Sequence, residues 1–239
     1  MRLFSSLAAA SLLTLTSAAN ASAEVQIKPD PVADMASPLI QKFETALKAC
    51  GIEPGAMPGV VVDSEPSLVS FSHRDRSLHL SRWTEMPAPI QGMVAEWAAQ
   101  GTLGLSPEDQ FGEIFNSLLI PHELGHFVQM LDGRDRTLDN WSAEVDANRV
   151  AVAFWSLEPA DAARIAERVA NFNDFLAALP SPVPAGEDPH AYFEANYERL
   201  GSDPAAYGWY QGAFMRTAWA QRQDATFCQL VKPGAASPS

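Results

Sequence analysis

Basic residues and cysteine are what this chain has least of. Sixteen Lys and Arg stand against 29 Asp and Glu, a formal net charge of −13, and no basic cluster interrupts the excess. Such a surface cannot release the counterions of a phosphate backbone, so nucleic-acid binding is excluded as a main role. The acid excess reads as a solvated exterior. Only two cysteines occur, Cys50 and Cys228, and their positions, without further cysteine partners, do not suit zinc. Internal repeats and long low-complexity linkers are missing as well.

Long apolar runs are also scarce. The one at the start, Leu3 to Thr16, follows Arg2 and ends in the small residues Ala21-Ser22-Ala23, the pattern of a secretory leader over residues 1–23. It is short and rich in Ser and Thr for a bilayer span. The mature chain is therefore expected to begin near Glu24, in the periplasm or outside the cell, with no stable membrane anchor. Residues 24–231 suffice for one domain and not for two large ones. Residues 232–239 are expected to be a disordered tail. In an exported protein Cys50 and Cys228 fit either one disulfide tying the two ends of the domain or two buried thiols.

Helices are expected over Pro38–Cys50, Pro89–Gln100, Trp141–Trp155 and Asp161–Leu179, with two more opening at Asp188-Pro189 and at Ser202-Asp203-Pro204. Val60–Val62, Ser67–Ser72 and Ser77–Arg82 read as short strands, the last two joined by the polar turn at residues 73–76. The fold class is α+β, mostly helical, with the small sheet ahead of a helical C-terminal half.

Chemistry concentrates in His122-Glu123-Leu124-Gly125-His126. On a helix a spacing of four turns both imidazoles to one face, where they can share a metal ion, and Glu123 stands beside it as a general base. That helix is expected to start at the N-cap Ser106 and to bend at Pro121, which lacks the N–H a continuous helix would use. Gly125 leaves room for another element to come close.

A catalytic zinc needs a third protein ligand and an open position. Glu144 supplies it best, on a second helix that the polar stretch 132–140 would fold back against the first. Asn148, one turn on, is placed to orient a ligand imidazole, and Ala147 and Ala151 are small enough for close helix packing. Asp132, six residues after His126, is the rival ligand. His73 and His79 belong to the hairpin and read as surface residues. Candidate donors to the developing oxyanion are His190, Tyr192, Tyr197, Tyr207 and Tyr210, with Tyr207 and Tyr210 favoured because they follow the turn at residues 201–204.

His122-Glu123-Leu124-Gly125-His126 followed at this distance by Glu144, Ala147 and Asn148 resembles the gluzincin branch of the zincin metallopeptidases. With the hairpin Phe71–Leu80 and Gly201-Ser202-Asp203-Pro204, the chain is similar over about Val60 to Arg222 to a family of bacterial secreted proteins assigned as metallopeptidases. The resemblance implies a zincin fold, one Zn²⁺ per chain on His122, His126 and Glu144, Glu123 as base, and a peptide or protein substrate bound along a strand edge. Asn148 departs from the thermolysin-like pattern, where an Asp stands, which implies weaker polarisation of the ligand imidazole. A non-catalytic zinc protein and a metal-free envelope module remain open beside the peptidase.

Overall fold

A computed structural model describes residues 30–64 and 68–232, so the expected leader and, apart from Lys232, the expected tail lie outside the described residues. The described residues are 65% helical with one three-stranded sheet among them, the α+β architecture expected. Helix α1 (Pro31–Ala49) begins seven residues earlier than expected. Asp30 caps it, accepting from the Val32 N–H at 2.9 Å, and Pro31 occupies the first turn, where its missing N–H costs nothing. Pro38 lies inside the helix but on its exposed side, so the carbonyl it leaves unpaired faces water. Val32, Ala36, Ile40, Phe43 and Leu47 are buried along the opposite face and carry the helix through.

The sheet holds β1 (Gly59–Val62), β2 (Val69–Ser72) and β3 (Ser77–Leu80) in the order β1-β3-β2. β2 and β3 form the expected antiparallel hairpin, Ser72 opposite Ser77, and β1 runs parallel to β3. β2 is thus an edge, and it packs on the motif helix, with Phe71 and Phe127 rings 5.9 Å apart. After α2 (Ala88–Ala98), Ser106 caps α3 (Pro107–Glu113) as expected, its hydroxyl accepting from the Asp109 N–H.

Where a proline bend was expected, the helix instead widens. Residues Ile114–Leu118 form a π turn between α3 and α4 (Ile120–Asp132). The Leu119 N–H bonds the Ile114 carbonyl, five residues back, at 3.0 Å, and the His122 and Glu123 N–H groups both close on the Leu119 carbonyl. Pro121 therefore enters in the first turn of a restarted helix, where no N–H is needed. The extra residue turns everything after it by about 100°. Gly133, at φ +79°, ends α4.

Helix α5 (Asn140–Trp155) returns antiparallel, capped by Asp139, and is followed by α6 (Pro159–Leu176), α7 (Pro189–Gly201), α8 (Pro204–Ala220) and α9 (Phe227–Val231). A main core joins α1, the sheet and α2–α6. A second, aromatic cluster of Phe193, Tyr210 and Phe214 clamps α7 and α8 onto Trp141 at the start of α5. Glu194 locks that junction from α7, accepting from the Trp141 N–H at 2.6 Å and from the Asn140 amide at 2.9 Å. Helix α9 was not anticipated, although Thr226 and Gln229 form a capping box legible in the sequence. Of the two cysteine readings the disulfide holds: Cys50 at the end of α1 is bonded to Cys228 in α9. A cross-link closing so long a loop contributes about 2–4 kcal/mol.

Candidate metal centre

Helices α4 and α5 meet at Gly125. A Cβ there would lie 2.9 Å from the Ala147 Cα and 3.2 Å from its carbonyl oxygen, so only glycine permits this approach. Glu144 stands three residues before Ala147, nearly one turn, and the close crossing carries its carboxylate to the imidazoles. Replacing Gly125 with Ala is expected to push the helices apart, to destabilise the fold by about 1–3 kcal/mol and to weaken metal binding. Thermal melts with and without added zinc would read both effects; a melt unchanged from wild type would contradict the packing account.

Two imidazole nitrogens and the two oxygens of one carboxylate converge. His122 Nε2 and His126 Nε2 lie 3.3 Å apart, Glu144 Oε2 is 3.4 Å from the first and Glu144 Oε1 is 3.6 Å from the second. Metal–ligand bonds of about 2.0–2.2 Å in tetrahedral geometry give edges of about 3.3–3.6 Å. The donor set therefore fits a zinc ion, with one tetrahedral vertex left for water. A Glu123 oxygen groups with the two imidazoles within 4.8 Å, but its Oε1 is 4.0 Å from His122 Nε2, farther than Glu144. All but His126, which is partly exposed, are buried.

A neighbouring amide fixes the state of His126, whereas the buried Nδ1 of His122 has no hydrogen-bond partner among the described residues. Gln129 donates its amide N–H to the Ala143 carbonyl at 2.9 Å and to Asp146 at 3.0 Å, so its oxygen is left to accept. That oxygen is 2.9 Å from His126 Nδ1, which must therefore carry the proton and leave Nε2 with a lone pair aimed at the centre. Arg134 anchors the relay, reaching Asp146 at 2.6 Å. Gln129→Leu is expected to lower zinc affinity about 10–100-fold, measured by competition with a chelating dye. Undiminished affinity would show that the relay is incidental.

Glu144 is held from its far side. The Tyr207 hydroxyl donates to Oε1 and the Gln211 amide to Oε2, both at 2.7 Å. Burial alone would push the Glu144 carboxyl up, but the two imidazoles and the Tyr207 hydroxyl outweigh it and its pKa falls to about 2. Glu123 shows the opposite balance: burial pushes it up to about 7, against the pull of His126 and of the Phe71 backbone N–H, while the Glu144 charge adds to the rise. Two carboxylates near one pair of imidazoles are thus driven to different states, one anionic and ligand-like, one ready to exchange a proton.

Several expected residues sit elsewhere. Asn148 touches neither imidazole; its amide donates to the Glu144 carbonyl at 3.0 Å and faces Gln211 at 3.4 Å, because it points along α5 toward α8. Tyr210 is buried in the aromatic cluster, its hydroxyl 3.2 Å from the Pro189 carbonyl. His190 is partly exposed, stacked 5.1 Å over Trp141 and 3.1 Å from Asp139. With Glu194 it forms a second group of ligand-type atoms, yet Asp139 and Glu194 are already engaged in capping α5. Asp132 is exposed and bonds Arg134, away from the centre. His79 pairs with Asp63 at 2.7 Å, and Tyr192 accepts from Arg199. Tyr207 does reach the centre, but its proton is committed to Glu144, so it positions a ligand. Tyr197 lines the same cavity, is 37% exposed and stands within hydrogen-bond reach of Tyr207.

Of these contacts only Gln129, three residues from His126 on one helix, had a local sequence signal. Gln211 and Tyr207 arrive from α8 and the Phe71 N–H from β2, with nothing nearby in sequence to announce them. Comparison with protein-family models, with curated proteins and with solved structures finds no match.

Proposed function

We propose that the protein is a zinc-dependent peptidase of the gluzincin type, with a zincin-like fold, acting in the bacterial periplasm or outside the cell. The observation that carries this reading is the convergence of His122, His126 and Glu144 at tetrahedral spacing with the buried Glu123 beside them, at one end of a cavity of about 410 Å³. A bound Zn²⁺ supplies Lewis-acid polarisation and an acidified water. Glu123 takes the proton of the attacking water and hands it to the departing amine nitrogen, a task suited to a group poised near neutrality. Gln129, Tyr207 and Gln211 hold the ligand side chains in place, which spares the site reorganisation during the reaction. The Tyr197 hydroxyl is available to donate to the oxyanion. Edge strand β2 runs along the cavity and offers a substrate backbone a strand to pair with. The disulfide and the leader-like start support an oxidising location.

The test is hydrolysis of a mixed peptide library by the zinc-loaded protein, followed by mass spectrometry. Cleavage that stops on chelation and returns with zinc supports the reading. A stoichiometric zinc protein that cleaves nothing would leave only the non-catalytic alternative, and a protein that takes up no zinc would end both.

A further inference from the structure

The cavity has a second end that the metal does not use. Phe115, in the π turn, and Leu119, at the cap of α4, line the same cavity as His122 and His126, so the segment that carries the metal-binding imidazoles also supplies part of an apolar wall. Trp97 from α2 and Phe172 and Leu176 from α6 complete that wall. Its rings are set before any ligand arrives: Phe175 stands behind it, 5.5 Å from the Trp97 ring and 6.1 Å from the Phe115 ring in edge-on contact. The space itself exists because residue 208 is glycine. A Cβ there would come 2.9 Å from Leu179 Cδ1, 3.4 Å from Leu176 Cδ2 and 3.8 Å from Trp97 Cη2.

Charge narrows the occupant. The residues lining the cavity include the carboxylates of Glu123, Glu144 and Glu198 and no Lys or Arg. Away from the imidazoles of His73, His122 and His126, which also line the cavity, an acidic side chain would find no counter-charge along the apolar wall and would lose its hydration. A large apolar side chain, by contrast, gains the transfer energy of its whole surface, and its backbone would lie where β2 and the metal ligands face the cavity.

Resting on the peptidase reading, we propose that the wall of Trp97, Phe115, Leu119, Phe172 and Leu176 is a side-chain pocket. The substrate is then a peptide with a large apolar residue, aromatic or long aliphatic, next to the bond that is cut. Wall and metal ligands share the α3–α4 helix, so filling the pocket sets the register of the peptide over Glu123.

The experiment uses the zinc-loaded Glu123→Gln protein, which retains the pocket and lacks the base. Alanine-serine peptides blocked at both ends, identical but for a central Gly, Leu, Phe or Glu, are titrated by calorimetry. Leu and Phe peptides are expected to bind about 10–100-fold more tightly than the Gly peptide, and the Glu peptide weakest. Gly208→Ala, whose added methyl meets the flexible ends of Leu179 and Leu176 and touches the Trp97 ring, is expected to reduce the affinity for Phe about fourfold and to leave that for Gly unchanged. Equal binding across the set, or a preference for Glu, overturns the pocket. The same peptides given to wild type separate the two claims. Cleavage without preference would end the pocket and keep the peptidase; tight apolar binding with no cleavage would keep the pocket and end the peptidase.

Discussion

Glu123→Gln is expected to lower peptide turnover by about two to four orders of magnitude, the range of a lost general base, with zinc affinity close to wild type. The separation follows from position. Glu123 Oε1 is 4.0 Å from the nearest imidazole nitrogen, whereas Glu144 reaches 3.4 Å and 3.6 Å from the two rings. Removing its charge therefore spares the ligand set, and glutamine keeps the volume in a buried site. The amide can still accept from the Phe71 N–H that faces the carboxylate, so the side chain stays oriented while losing the ability to take a proton. Single-turnover kinetics on a cleavable peptide, run beside a zinc titration, measures both halves. A variant that loses zinc together with activity would place Glu123 among the ligands, and a variant that keeps its activity would remove it from the mechanism.

The motif helix shows why parts of this were legible in sequence. His122, Glu123, Leu124, Gly125 and His126 are contiguous, and the pitch of a helix alone brings the rings together. Gly125 and Ala147 announced a close crossing because small residues have few other reasons to face each other across two helices. The polar stretch before α5, with Asp139 as its cap, gave the reversal. Pro121 signalled a disturbance without revealing its form: a missing N–H can be met by a kink or by a π turn, and packing of Phe111, Ile114 and Phe115 into the core favours the continuous, wider helix. What failed to show were contacts made across long separations. Tyr207 and Gln211 lie 63 and 67 residues from Glu144, and their approach depends on how the aromatic cluster seats α8 on α5. Tyr210 followed the same turn as Tyr207 yet faces the opposite way, since three residues along a helix that crosses another at close range separate the cavity face from the core. His190 was drawn by its residue type, and it caps and stacks at the start of α5 instead.

The most direct measurement is zinc stoichiometry and affinity for wild type, Glu144→Ala and Asp132→Ala, by native mass spectrometry and competitive titration. Glu144 is 4% exposed, pinned by two donors and driven to its anionic form, so it enters a metal complex already placed and charged. Its removal leaves two ligands, an empty volume and two partly buried donors, Tyr207 and Gln211, without their acceptor. The expected loss in zinc affinity is about 10³-fold, equivalent to about 4 kcal/mol. Asp132→Ala, an exposed change at the end of α4, is expected to bind one zinc as tightly as wild type. Wild-type affinity in Glu144→Ala, or a loss confined to Asp132→Ala, would contradict the three-ligand centre.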